Sequence, residues 1–396
     1  MKNPASKRFK WGLIVKIEMG VVALGLVAGA VFWAVDGKSE ETVKPPVRVE
    51  NPRKFATPVW HPDARWEVIK LGGCDSGAHL DGPVREMEMH SLGALGSGYR
   101  NAEGGKCYIG WYDPATGRAH EVAGSGKGYL DGPFSRARFT GWNYGWDPEP
   151  VFDADKRNMF IADEFKGAVY IRCLDFEKQE VRTVLPDLKG FLSMATAPGG
   201  KLLVVTPTGL LKLNAANGAK DDEVKLEAVD KVRRYTRGFA PAVFDEVHNR
   251  LYIGLQHPEW YLWYWDAKNG SFHGVLPKTA DGKSRGRNQP GPFEGTSWYG
   301  ETGTLSFGPD DPEKRFLYAT NNDTWQFFRL DLEKRQVAAI LLEGNGRDGK
   351  PVLARFSETE ASGRIQTYLY HKWLDDGSFT SWTHSPVTAP LFKRVK

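Results

Sequence analysis

From residue 57 onward the chain alternates apolar and polar positions with a period of two, in short runs broken by Gly, Asp and Asn. The stretch Asn158 to Leu185, NMFIADEFKGAVYIRCLDFEKQEVRTVL, holds three such runs separated by two turns. The same arrangement returns at Arg315 to Leu341 and at Asn249 to Leu276, and shorter versions are GKLLVVTPTGLLKLNAANG and CYIGWYDPATGRAHEVAG. Alternation of this kind predicts half-buried strands, and Asp or Asn before a Gly-containing or charged tetrad predicts tight turns. Segments with helical spacing are few. The chain reads as all-β.

The turns fall at Asp113, Asp175, Asn214, Asp266, Asp331 and Asp376, an irregular repeat of about fifty residues, which suits four-stranded antiparallel blades arranged in a ring. Six turns predict a six-bladed β-propeller; seven outer-strand candidates keep a seven-bladed ring as the alternative. Trp66-Glu67-Val68-Ile69 reads as an outer strand without its blade, to be completed by inner strands from Val352 to Trp382. A second repeat leads into the strands: GAHLDGPVREMEM from Gly77, GYLDGPFSRARF from Gly128 and GRDGKPVLARF from Gly346. Asp81, Asp131 and Asp348 in these copies read as turn-formers that bind local backbone N–H groups, with Gly132 in positive φ.

The glycine-rich lead, Asp131-Gly132-Pro133, Ala137-Arg138-Phe139, Ala162-Asp163 and Val169-Tyr170-Ile171-Arg172 together resemble an NHL repeat. The match is fullest over Ser125 to Pro186 and partial in four other units, where Leu255-Gln256-His257 and Thr320-Asn321-Asn322 replace Ala-Asp. This resemblance implies NHL-like four-stranded blades; it implies no activity, because one fold hosts many functions.

The first residues carry a different signal. Residues 1–18 hold Lys2, Lys7, Arg8, Lys10 and Lys16 against Glu18, and form a basic cytoplasmic or n-region. Residues 19–35, MGVVALGLVAGAVFWAV, are uncharged and mostly apolar, and predict one transmembrane anchor or signal helix. The anchor is the favoured reading, with the basic end cytoplasmic; cleavage near Ala28-Gly29-Ala30 and secretion is the alternative. Residues 36–56 are a charged, Pro-containing linker, and residues 57–396 are the propeller, placed outside the cytoplasm.

Charge then narrows the partners. With the whole chain at 53 basic and 49 acidic side chains, the part after Glu18 balances at 48 of each. A neutral body of mixed sign is a poor binder of phosphate backbones, which excludes nucleic acid. Cys74, Cys107 and Cys173 form no CxxC or haem-attachment pattern, and Cys107 and Cys173 read as small apolar residues of strands.

Candidate chemistry sits in irregular connections rather than in strands. If strands run A to D from the axis outward, the B–C and D–A connections share one face. They gather Trp142, Tyr144, Trp146, Glu149, Asp163, Glu164, Gln256, His257, Trp260, Trp298, Asn321, Asn322 and Trp325. Aromatic rings beside amides and carboxylates suit stacking and directional hydrogen bonding, so a protein, peptide or glycan is the expected ligand. The favoured function is a non-catalytic binding or scaffold module tethered at a membrane, without a cofactor. The alternative is a metal-dependent hydrolase. Glu149-Pro150-Val151-Phe152-Asp153 resembles the first inner strand of six-bladed lactonase-type propellers, which implies a divalent cation such as Ca²⁺ held by Glu149, Asn321 and Asp323. Glu149, His257 and Asp323 are then the candidate catalytic groups. The nine histidines are scattered without a zinc-type spacing.

Overall fold

The computed structural model describes residues 64–70, 82–83, 100–101, 107–113, 118–140, 150–225, 240–254, 260–277, 290–295, 302–308, 311–321, 326–343, 351–357, 370–373, 379–382 and 390–395. The chain divides into Met1–Val43 and Lys44–Lys396, and every described residue belongs to the second unit. The expected membrane or signal helix at 19–35 and its flanks lie outside the described residues. Among the described residues no helix is long and apolar enough to cross a membrane.

The described body is built of strands, with one short 3-10 turn at Phe293–Gly295. First come β1 (Arg65–Lys70) and β2 (Gly82–Pro83), then β3 (Arg100–Asn101), β4 (Cys107–Asp113) and β5 (Arg118–Ala123). A second group is β6 (Gly132–Pro133), β7 (Val151–Phe152), β8 (Asn158–Phe165), β9 (Ala168–Asp175) and β10 (Glu180–Leu188). The third is β11 (Ser193–Ala197), β12 (Lys201–Val205), β13 (Gly209–Asn214) and β14 (Lys220–Lys225). The fourth is β15 (Ala242–Asp245), β16 (Arg250–Ile253), β17 (Trp260–Asp266) and β18 (Phe272–Pro277). The fifth begins with β19 (Gly291–Pro292) and continues through β20 (Thr302–Phe307), β21 (Phe316–Asn321), β22 (Gln326–Asp331) and β23 (Gln336–Glu343). The chain finishes with β24 (Pro351–Ser357), β25 (Tyr370–Trp373), β26 (Phe379–Trp382) and β27 (Pro390–Arg394).

Within each sheet consecutive strands are antiparallel neighbours, as in β7-β8-β9-β10 and β11-β12-β13-β14. The first strands of successive sheets touch in chain order, β7 with β11, β11 with β15, β15 with β20 and β20 with β25. The all-β class and the four-stranded antiparallel sheets expected from the alternation are therefore present. Buried apolar side chains fill the space between adjacent sheets. Phe160, Ile171, Leu202 and Leu213 join the second sheet to the third; Leu203, Leu210, Ile253 and Trp265 join the third to the fourth. Tyr252, Leu276, Leu317 and Phe328 join the fourth to the fifth. Cys173 sits in the first of these layers as a buried strand residue, and burial pushes its thiol up to about 12.

The predicted turn residues act by one mechanism. Asp175 Oδ1 accepts from the backbone N–H of Glu177 (3.1 Å) and of Lys178 (2.9 Å); Asp266 accepts from Lys268 N and Asp331 from Lys334 N. The last residue of each turn then takes the left-handed conformation, with φ of 54° at Gln179, 55° at Arg335 and 75° at Gly270. Asp376 departs from the series. It falls between β25 and β26, the first two strands of their sheet, so it is not the equivalent of Asp175 and Asp331.

The last sheet joins the two ends of the described body. β1 pairs β27 from Trp66↔Arg394 to Lys70↔Pro390, as expected for an outer strand lacking its blade. The inner partners come from residues 370–394. Residues 351–357, expected among them, instead form β24 on the far side of β1, with Trp66 opposite Val352.

That position is shared by the Gly-Pro repeat. β2 pairs the outer strand β5, β6 pairs β10, and Pro351 of β24 lies opposite Glu67. The structure adds a copy that the sequence reading missed, Gly291-Pro292-Phe293, which pairs β23. In each of two copies the residue after Pro donates its N–H to the left-handed turn residue, Phe134 to Gln179 O and Phe293 to Arg335 O, both at 2.9 Å. The glycines adopt φ of 132° and 143°, which bars other side chains. These segments are clasps: the chain leaves one sheet, runs along the outer edge of the next and only then enters it.

Candidate functional site

Counting from the β-hairpins, Asp163, Thr206 and Asn321 occupy the same position, at the far end of the second strand of three sheets. All three side chains are buried and polar. Thr206 Oγ1 closes its own turn by accepting from Gly209 N at 3.0 Å. Asn321 pairs Thr302 on one side and Gln326 on the other, and these two are buried as well. A buried Thr304–Thr320 hydroxyl pair at 2.9 Å lies one step further in. The Thr320-Asn321 departure from Ala-Asp is thus a like-for-like exchange in position, with an uncharged amide where the second sheet has a carboxylate. The sequence signal was available in the run of Thr302, Thr304, Thr320, Asn321 and Gln326, polar residues at strand ends that alternation alone leaves unweighted.

In the second sheet the carboxylate has a partner. Asp163 and Arg172 are both fully buried, and Arg172 Nη1 donates to Asp163 Oδ2 at 2.9 Å. Its remaining N–H groups go to Asp131 Oδ1 (Nε 3.1 Å, Nη2 2.9 Å) and to the carbonyls of Arg138 and Leu130 (both 2.6 Å). All donors of the guanidinium are used, and the cation lies over the rings of Phe139 (4.5 Å) and Tyr129 (5.0 Å). Asp131 also accepts from Thr183 N at 2.7 Å. The reading of Asp131 as a local turn-former is corrected: its partners lie on β9 and β10, and it pins the clasp to the sheet. Asp163 is corrected too, from a residue of the ligand face to a member of this buried network. Its other oxygen accepts from Thr140 N (3.0 Å), where the 141–149 connection begins.

Three of the connections that carry candidate residues, 255–259, 296–301 and 322–325, have ends that lie close together. Gly254 precedes residues 255–259 and packs so closely on Thr302 that a Cβ there would lie 2.8 Å from the threonine Cβ. Asn321 and Gln326 bracket residues 322–325. Thr140 Oγ1 and Glu164 Oε2 are shielded from solvent and have no hydrogen-bond partner among the described residues.

Of the sequence-predicted site residues, Trp142, Tyr144, Trp146, Glu149, Gln256, His257, Trp298, Asn322, Asp323 and Trp325 lie outside the described residues. Four are described, and none lies in a connection: Asp163 and Glu164 belong to β8, and the other two differ from expectation as well. Trp260 is the first residue of β17, not part of a connection, and its half-buried indole lies against Gly274, where a Cβ would come within 1.9 Å of the ring. Asn321 is the buried last residue of β21. Among the described residues no three His, Cys, Asp or Glu side chains form a group that could hold a metal ion.

No protein-family model matches the chain, and no curated protein matches it in sequence. Solved structures do match. A protein of unknown function from Bacteroides thetaiotaomicron VPI-5482 aligns over 84% of this chain and 76% of its own, with 11% identity and a TM-score of 0.56. An auxiliary nutrient binding protein from the same organism aligns at 12% identity and a TM-score of 0.39, over 68% of this chain and 61% of that one. The β-propeller domain of Cps50 (Swd1) from Myceliophteria thermophila aligns at 11% identity and a TM-score of 0.37, over 60% and 62%. The chain therefore spans about three fifths of the latter two. Only the first of these likenesses, with its TM-score above one half, bears on the fold, and it shows the fold alone. By its own sheet order the body is a β-propeller.

Proposed function

We propose that this chain is a membrane-tethered, extracytoplasmic propeller of six NHL-like blades that binds a protein, peptide or glycan without catalysis. In this reading the segment 19–35 is the anchor, and the ligand meets the face from which residues 141–149, 255–259, 296–301 and 322–325 emerge. The observation that carries the reading is the division of polar groups at that end of the sheets. Among the described residues there, the fully buried carboxylate, Asp163, is committed to Arg172 and Thr140 N, while Thr302, Asn321 and Gln326 are uncharged. Uncharged amides and hydroxyls beside aromatic residues favour recognition over acid–base chemistry. The test uses the full chain in lipid nanodiscs on arrays of glycans and extended peptides. Saturable binding that weakens when Trp142, Trp298 or Trp325 is changed to Ala, with the melting temperature kept, supports it. One tightly held Ca²⁺ per chain, lost on Glu149→Gln or Asp323→Asn together with hydrolysis of a lactone or ester, overturns it in favour of the metal-dependent enzyme.

A further inference from the structure

The outer strands of the sheets are protected in two ways, and one strand has neither among the described residues. β5, β10 and β23 each carry a Gly-Pro clasp, and β1 carries β24. β14, reached through the short residues 189–192, carries none among the described residues and is instead charged, KDDEVK, with Lys201 paired to Asp221 and Lys212 to Asp222. Charge of this kind is a recognised guard against edge-to-edge pairing. β18 reads FHGVLP. It has no acidic or lysine side chain, and no strand pairs its outer side among the described residues.

One position shows what such an edge is built to receive. The residue facing the clasp glycine is Val181 under Gly132 and Val337 under Gly291, both 1% exposed. In β14 the same place in the register, opposite Leu213, holds Lys220; in β18, opposite Trp265, it holds Phe272. Phe272 is 38% exposed, its ring edge-on to Trp263 at 5.4 Å. The carbonyl that accepts the clasp N–H belongs to Gln179 or Arg335, and Gly270 holds that place here with the same left-handed backbone. The connection into this sheet, residues 226–239, contains no proline.

We propose that the outer edge of β18 is a docking site for an extended segment of a partner protein carrying Gly-Pro followed by an aromatic residue. The molecule supplies the precedent, because it seats such segments of its own on β10 and β23. In the bound state the partner's glycine lies over Phe272, its backbone takes positive φ, and the N–H after its proline donates to the Gly270 carbonyl. This site is separate from the loop face, so either can fail while the other stands.

The probe is a fluorescent peptide with the sequence of residues 128–135, Gly-Tyr-Leu-Asp-Gly-Pro-Phe-Ser, titrated against the full chain with anisotropy as readout. Saturable binding is expected, weakened about tenfold by Phe272→Lys, which copies the guard of β14, and less by Phe272→Ala. Both changes lie at the surface, so thermal melts should match the parent. A peptide with Val in place of its second glycine should not compete. Absence of saturable binding, or binding indifferent to both changes at position 272, overturns the proposal. Concentration-dependent dimerisation abolished by Phe272→Lys, without peptide binding, also overturns it and assigns the edge to a second copy of the chain.

Discussion

The β7–β10 sheet and the β11–β14 sheet are neighbours with the same strand order and a shared apolar layer, yet their outer strands are finished differently. On β10 the chain's own Gly132-Pro133 lies alongside, and Asp131 and Arg172 tie that segment to the sheet through buried, fully bonded polar groups. On β14 the finish is a set of exposed ion pairs, such as Lys201–Asp221 at 2.7 Å. The first device is cooperative and costly to breach, because it buries a charge; the second is loose and tolerant, because each pair is solvated and contributes about 0–1 kcal/mol. Similar folds can thus place their sensitivity to mutation very unevenly.

The largest effect should follow from Arg172→Met. It leaves Asp163 buried without its cation and frees Asp131, and unfolding in urea should show a loss of about 3–5 kcal/mol. Adding Asp163→Asn to the same chain should restore part of that loss. If the single change costs no more than a surface substitution, the two sheets do not differ in the way described.

Next come the clasp glycines. Gly132→Val and Gly291→Val each force a β-branched residue to a φ above 130°, with no steric neighbour within 4 Å to confuse the cause. The cost should be about 1–3 kcal/mol from backbone strain alone. Gly132→Val should be the more damaging, since Arg172 rests on the adjoining Asp131. Thermal melts of the pair measure the difference, and equal losses would show that the clasp works without its buried anchor.

The smallest effect belongs to the charged edge. Lys220→Val should change stability by less than about 0.5 kcal/mol. It should nevertheless raise self-association measured by light scattering, because the guard is removed from a strand with no outer partner among the described residues. A large loss of stability there, or unchanged association, would mean that β14 is protected by something other than charge.

Much of this is legible in the sequence. Alternation located β8 to β10, β16 to β18 and β21 to β23, because a half-buried strand has only one pattern available to it. That Trp66 would join strands near the end of the chain was legible as well, since an isolated outer strand has to find a sheet, but its direct partner β27 lies beyond the Val352 to Trp382 span that was expected. The partners of Asp131 were not. A short polar residue before Gly looks the same whether it caps its own turn or reaches β9 and β10, and only the position of Arg172 decides. The fourth clasp was hidden for a related reason: Gly291-Pro292-Phe293 lacks the Asp that drew attention to the others, and in its sheet Phe328 stands where Arg172 stands in the second. Trp260 shows the opposite error. Gln256, His257 and Glu259 before it are polar, but Gly274 on the adjacent strand offers a flat surface that an indole fills.

The pairing of β1 with β27 also fixes an order of events. Trp66 leaves the ribosome among the earliest residues of the body, and Arg394, whose guanidinium will lie 5.0 Å from its ring, among the last. During synthesis the intermediate sheets have neighbours to fold against, whereas β1, with Trp66, Val68 and Ile69 on it, waits as an unpaired strand until nearly the whole body exists. Closing so long a loop adds little entropy per residue, but it makes the final step slow and leaves an exposed edge in the meantime. Truncation near the C-terminus should therefore be read first as a failure of completion, with β1 the segment that chaperones or proteases meet.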